Sequence, residues 1–214
     1  MDSVFQTLAQ FLKEGGFWVY PIIAASACAI AVALERVYYF YAHCRVNAKG
    51  LLTQVTRMVR NGDTEKARAL CSKMKTPLAI IVESALWHYL QQEPEQEIQN
   101  AVDELALREL PKIQRRTHYL SLFANISTLM GLLGTIFGLK AEFGALATAD
   151  PSQKANLLAQ GMAIALNTTA LGIAVAVVCM VMYSLLGAKA NTIIEEIDES
   201  SVRLLNFLFA QRRQ

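Results

Sequence analysis

Three long stretches of this 214-residue chain carry no charged side chain, and they constrain the fold more than any other feature. They cover Phe17–Leu34, Tyr119–Leu139 and Ala155–Ala188, which are 18, 21 and 34 residues long. A helix needs about 20 apolar residues to cross the hydrocarbon core of a bilayer. The sequence therefore predicts three membrane-spanning helices, and the third stretch is long enough for its helix to continue into water.

The composition is typical of a chain embedded in a bilayer. Hydrophobic residues make up 54% and charged residues 18% of it, against about 45–50% and about 25% in soluble domains. Disordered chains are poor in apolar residues, so disorder is excluded. A net charge of +2 gives no basic patch for nucleic acid. We therefore expect an all-α integral membrane protein with the lipid bilayer, and no nucleic acid, as a partner.

The distribution of Lys and Arg predicts the orientation. Residues 37–118 hold 12 of them, whereas residues 1–16 and the connection between the second and third spans hold one each, Lys13 and Lys154. Cytoplasmic segments carry the excess of positive charge. The N-terminus is accordingly predicted to be periplasmic, and the C-terminus cytoplasmic.

These observations divide the chain into seven segments. They are an N-terminal periplasmic or interfacial segment (1–16), transmembrane helix 1 (17–42), a cytoplasmic helical region (43–118), transmembrane helix 2 (119–146), a periplasmic loop (147–160), transmembrane helix 3 (161–189) and a cytoplasmic C-terminal helix (190–214). Within the cytoplasmic region, helices are predicted around Leu51–Val59, Glu65–Met74 and Leu78–Gln92, from the helical spacing of apolar residues and the intervening turn and proline signals. A further helix from Glu95 is predicted to lead straight into the second span, with a kink at Pro111.

Catalytic chemistry is not apparent. The sequence contains no phosphate-binding loop, dinucleotide fingerprint or nucleophile elbow. His43 and Cys44 are adjacent, but no second pair stands at zinc-site spacing. We expect neither an enzyme nor a metal site, and no cofactor.

Small and polar residues recur on one face of each of the last two spans. On the second span they are Thr128, Gly131, Thr135 and Gly138, and on the third they are Gly161, Ala165, Thr168 and Gly172. One interpretation is close helix packing, because small side chains let backbones approach. The other is a polar pore. The consecutive Asn167, Thr168 and Thr169 favour a pore, since polar groups within a membrane usually face a bundle interior or a water-filled path.

Two motifs carry a resemblance to a known family. The run GLLGTIFGL at 131–139, followed by GMAIALNTTALG at 161–172, resembles the MotA/TolQ/ExbB family of ion-driven motor subunits. Three spans, an outward N-terminus and a large first cytoplasmic region are similar to its TolQ/ExbB branch. The resemblance extends over nearly the whole chain.

The resemblance implies a homopentameric ring in the bacterial inner membrane around two copies of an ExbD/TolR-like single-span partner. An Asp on the partner's helix would carry protons, and the ion flow would drive mechanical work in transport or envelope processes. Thr135 and Thr169 match the family's pore-lining threonines, and Thr168, Asn167 and Thr128 are expected to join them. Close packing, including against the partner, is expected of the small residues of the two motifs, namely Gly131, Gly134, Gly138, Gly161, Ala165 and Gly172.

One position departs from the family pattern. The TolQ/ExbB motif has an acidic residue where this chain has Ile164, so the partner's carboxylate would have to do all the titrating. Neutral oxygens at Asn167 and Thr168 suit a hard cation, which makes sodium an alternative to the proton as the coupling ion. A channel without a partner and a membrane scaffold are the remaining alternatives. Whether Thr128 lines the pore or only straightens its helix is left open.

Overall fold

A computed structural model describes residues 17–42, 44, 48–148 and 150–213. Helices and no strands lie within these ranges. In chain order the helices are α1 (Val19–Ala42), α2 (Ala48–Arg60), α3 (Thr64–Ser72), α4 (Pro77–Leu90), α5 (Glu95–Gln114), α6 (His118–Thr148) and α7 (Lys154–Arg212). The predicted segment 1–16 lies outside the described residues, as does His43.

Three helices of the described chain are long and apolar enough to cross a membrane, and they contain the three predicted spans except that the first helix begins at Val19 and not at residue 17. The all-α fold with three candidate membrane helices is thereby confirmed. α7 is a single helix of 59 residues. It joins the predicted third span to the predicted C-terminal helix without a break, as the length of its uncharged stretch suggests.

The prediction that one helix leads from Glu95 straight into the second span is wrong in one respect. α5 includes Pro111 and ends at Gln114, and α6 begins only at His118. Arg116 between them has a φ of 81°, a left-handed conformation that ends a helix. Pro111 has no N–H to donate within the last turn of α5, so it weakens the helix where it stops.

By internal contacts the chain divides into two units. One, the spanning unit, consists of Met1–Leu34 and Arg116–Leu185, and the other, the polar unit, of Glu35–Arg115 and Leu186–Gln214. In the spanning unit α1 buries a stripe of residues three or four apart, which includes Ile22, Ala25 and Ala29. Trp18 stacks on Phe137 of α6 with ring centroids 5.0 Å apart. The first span therefore buries one stripe of residues and packs on the second span through an aromatic pair.

The polar unit has an aliphatic core of its own. Side chains from α2 to α5 and from the C-terminal part of α7 are almost fully buried in it, among them Val55, Ile81, Leu86, Ile98, Leu204 and Leu208. Arg213, just after α7, forms an ion pair with Glu95, the first residue of α5, at 2.8 Å. The end of α7 is bonded to the turn before α5, because Arg212 donates to the carbonyl oxygens of Gln92 and Glu93. These bonds satisfy carbonyl groups beyond the end of α4.

The thiol of Cys71 gives a test of this core. Cys71 is 1% exposed, and burial, with the nearby Glu83 charge, raises its pKa to about 11 from 9.0. Because a thiolate is the reactive form, we expect alkylation at pH 8 to be about 100-fold slower than for an ordinary thiol, before any steric protection. The measurement is iodoacetamide labelling of a variant with Cys71 as its single cysteine. Denaturant should restore the ordinary rate; fast labelling of the folded protein would contradict the buried position.

Candidate functional site

α6 and α7 approach each other backbone to backbone at Gly131 and Gly172. A Cβ placed on Gly172 would lie 2.5 Å from the carbonyl oxygen of Ser127 and 3.0 Å from the Cα of Gly131. A Cβ on Gly131 would lie 3.2 Å from the Cα of Thr169. Real Cβ atoms essentially never come as close as the first of these distances, so Gly172 has no room for a side chain.

The contact continues towards the C-terminal end of α6 and the N-terminal end of α7. A Cβ on Gly134 would lie 2.4 Å from Cγ2 of Thr168, and one on Gly138 would lie 3.4 Å from the Cβ of Ala165. Gly161 and Ala165 are both buried. We call this contact the glycine seam, which consists of Gly131, Gly134 and Gly138 on α6 and of Gly161, Ala165 and Gly172 on α7. The six small residues thus meet within one chain, and their packing against a partner stays a prediction.

Thr168 and Thr169 lie beside the seam in different ways. Thr168 is 2% exposed, and its hydroxyl donates to the carbonyl oxygen of Ile164 at 3.0 Å. Thr169 is half-buried, and its hydroxyl donates across the seam to the carbonyl oxygen of Gly131 at 2.9 Å. Both hydroxyls therefore have partners within the chain, and Thr169 ties the two helices together.

Thr128 and Thr135 lie on α6 next to the seam and are half-buried. Each returns its hydroxyl bond to a carbonyl oxygen of the preceding turn, that of Ala124 at 3.1 Å and that of Leu132 at 2.6 Å. Such a bond leaves the hydroxyl oxygen able to accept another, because it has two lone pairs. Both side chains can therefore offer an oxygen to a passing ion or water.

Sequence reasoning missed two polar residues on the same side of α6. Ser121 is half-buried and Asn125 is exposed, and they precede Thr128 by seven and three residues. Residues at these spacings share one side of a helix. We call Ser121, Asn125, Thr128 and Thr135 the polar face. Their spacing from Thr128 is the signal in the sequence that could have identified them.

The remaining predicted residues lie on α7. Ile164 and Asn167 are both half-buried, at the end of α7 that begins with Lys154. The position of the family's acidic residue is thus occupied by an aliphatic side chain on the helix that carries half of the seam. Among the described residues, no three His, Cys, Asp or Glu side chains are grouped as a metal site.

Comparison with known proteins gives a consistent result. The model of the MotA/TolQ/ExbB proton channel family matches residues 73–199, more than half of the chain. A putative biopolymer transport protein ExbB homolog of Methanothermobacter thermautotrophicus is 27% identical over 197 residues, which cover 92% of this chain and 68% of that protein. The Tol-Pal system protein TolQ of Haemophilus influenzae is 33% identical over 86 residues, 40% of this chain and 37% of that protein.

The fold also matches a solved structure. The structure of C. jejuni MotAB contains a chain that superposes with a TM-score of 0.54 at 16% sequence identity, over 96% of this chain and 91% of that one. At this level of identity the match shows a similar fold alone.

Proposed function

Because this chain belongs to the MotA/TolQ/ExbB proton channel family, we propose that it is the ring-forming, ion-conducting subunit of a motor in the bacterial inner membrane. Five copies surround two copies of an ExbD/TolR-like partner whose single span carries an Asp. Ions that pass between ring and partner drive relative rotation, and the work is delivered towards the periplasm. The N-terminus is periplasmic and the C-terminus cytoplasmic in this arrangement.

The observation that supports the proposal most is the position of the polar face beside the glycine seam. Backbone contacts at Gly131 and Gly172 fix how α6 is rotated against α7. This rotation leaves Asn125 exposed on the single chain. An amide in contact with lipid is costly, and polar residues in membranes face a bundle interior or a water path. Neighbouring subunits that close a ring would give the polar face such an interior.

The threonines have two different tasks under this proposal. Thr135 and Thr128 line the path with hydroxyl oxygens, together with Asn167 of α7. Thr169 holds α6 to α7 through its bond to Gly131 while it borders the path, and Thr168 fills the seam behind it. Ile164 offers no titratable group, so the partner's carboxylate carries the proton at mid-membrane.

Sodium is the second candidate for the coupling ion. Asn125 adds an amide oxygen to the amide oxygen of Asn167 and the hydroxyl oxygens of the threonines. Neutral oxygen ligands of this kind suit a hard cation. A proton path needs only hydroxyls and water, whereas a sodium path needs several oxygens at once. The two versions differ in which gradient drives the flux.

The test is ion flux through the complex reconstituted in vesicles with its partner. We expect Thr135→Val to lower the flux severalfold, because the methyl group removes a path-lining oxygen at nearly constant size. Thr192→Val is the matched control, since Thr192 on α7 makes the same kind of bond, to the carbonyl oxygen of Ala188 at 3.0 Å, outside the spanning unit. Unchanged flux through the Thr135→Val complex would contradict the role of Thr135 in the path, and normal function of a complex that conducts no ions would favour a scaffold.

The ion is identified in the same vesicles. A flux that follows a proton gradient and ignores sodium supports the proton motor. A flux that needs sodium and persists without a proton gradient supports the sodium version. Flux through this chain without any partner would point to a self-sufficient channel.

A further inference from the structure

We propose that Glu142 is the carboxylate at which cations enter or leave the ion path at its outer mouth. This inference rests on the proposed function and assigns a specific residue to it. It makes the entry site a property of this chain and not of the partner. The ligand is a monovalent cation, either a hydrated proton or sodium.

Glu142 is the one acidic residue in the sequence of the two path-forming spans. Residues 119–147 contain two charged side chains, Lys140 and Glu142, and residues 155–188 contain none. Charged side chains within spanning segments are costly and usually functional. Glu142 is thus the sole acidic side chain that these stretches offer to a cation.

The Glu142 side chain lies across the outer end of the glycine seam. A Cβ placed on Gly161 would lie 1.7 Å from Cγ of Glu142 and 2.3 Å from its Cδ, which is the carboxylate carbon. The carboxylate therefore occupies the space that any side chain at position 161 would need. Glu142 is half-buried in this position, so its oxygens keep some access to solvent.

The carboxylate is also in line with the polar face. Glu142 follows Thr135 by seven residues and Thr128 by fourteen. Seven residues are nearly two turns, so the three side chains share one side of α6, with Glu142 about 10 Å further out than Thr135. A cation that leaves Glu142 inwards meets the hydroxyl of Thr135 next.

Among the described residues, the basic side chains nearest to Glu142 in sequence are Lys140 and Lys154, and neither neutralises it by direct contact. Lys140 is exposed and two positions away on α6, so it points to another side of the helix. Lys154 begins α7, seven residues before Gly161, and is exposed. It lies about 10 Å along the axis from Gly161, roughly one Debye length in physiological salt. In a closed ring the carboxylates form a circle of negative charge, an arrangement that selects and concentrates cations at the mouth of a channel.

The test compares three variants of the reconstituted complex at low and high salt. Glu142→Gln removes the charge at constant size, and we expect it to lower cation flux about threefold or more, with a smaller deficit at high salt because of screening. Glu142→Asp should keep most of the flux. Lys140→Gln, a charge change on the other side of the same helix, should leave it unchanged.

Gly161→Ala provides a second route to the same result. The added Cβ displaces the Glu142 side chain, so this variant should lose flux as Glu142→Gln does, and the double variant should lose no more than either single one. Wild-type flux in a fully assembled Glu142→Gln complex would overturn the inference, as would an equal loss in Lys140→Gln. If Thr135→Val still lowers the flux in that case, the proposed function survives; if neither variant has an effect, the proposed function fails as well.

Discussion

Replacement of Gly172 by alanine is expected to destabilise the spanning unit by about 1–3 kcal/mol, the usual cost of overpacking. The new Cβ would lie 2.5 Å from the carbonyl oxygen of Ser127 and 3.0 Å from the Cα of Gly131. Both are backbone atoms, so no side chain can rotate away to make room. The two helices have to move apart, which also lengthens the bond from Thr169 to Gly131, 2.9 Å in the wild type.

Gly187→Ala is the matched control on the same helix. Apart from its chain neighbours and the backbone of its own helix, a Cβ on Gly187 meets no atom of the described residues within 4 Å, and alanine is favoured over glycine inside a helix by about 0.5–1 kcal/mol. We expect this variant to be unchanged or slightly more stable in thermal unfolding in detergent. Similar unfolding temperatures for the two variants would contradict the close approach of α6 and α7.

The second large effect is expected at Gly134, and it should be reversible by a second substitution. A Cβ on Gly134 would lie 2.4 Å from Cγ2 of Thr168. Gly134→Ala should therefore destabilise the spanning unit by an amount similar to that of Gly172→Ala. Here, however, the obstacle is a side-chain methyl group. Thr168→Ser removes that methyl group and keeps the hydroxyl that bonds to Ile164.

The double variant Gly134→Ala with Thr168→Ser should thus recover a large part of the lost stability. The recovery is partial, because the new Cβ still lies 3.0 Å from the Cβ of Thr168. A double-mutant cycle of unfolding temperatures measures this coupling, and residues in contact typically couple by about 0.5–3 kcal/mol. Additive effects of the two substitutions would show that Gly134 and Thr168 are not in contact.

The number of spans and the existence of the glycine seam were predictable from the sequence. Uncharged stretches of 18 or more residues reflect the thickness of the bilayer, which no tertiary contact alters. Likewise, glycine at steps of three or four along a span has few uses other than close backbone approach. Each of these features depends on the sequence of a single helix or on the thickness of the bilayer.

The hydrogen-bond acceptors of the threonine hydroxyl groups were not predictable in the same way. Thr168 and Thr169 are neighbours in sequence, yet one bonds within α7 and the other crosses to Gly131. This difference depends on the rotation of α7 against α6, which the spacing of small residues specifies only roughly. The position of the Glu142 carboxylate over Gly161 depends on the same rotation.

The break between α5 and α6 was also beyond the sequence pattern. Apolar periodicity continues across Arg115 and Arg116, and Pro111 by itself is compatible with a kinked but continuous helix. The left-handed backbone at Arg116, with a φ of 81°, has no signal in the sequence, because glycine or asparagine is the usual residue there.

The measurement that tests the central proposal most directly is native mass spectrometry of the complex, purified gently from a host that carries the neighbouring genes. We expect five copies of this chain with two copies of a small single-span protein that has an Asp within its span. A homo-oligomer that conducts or works without such a partner would contradict the account, since Ile164 leaves the chain without a titratable group at mid-membrane.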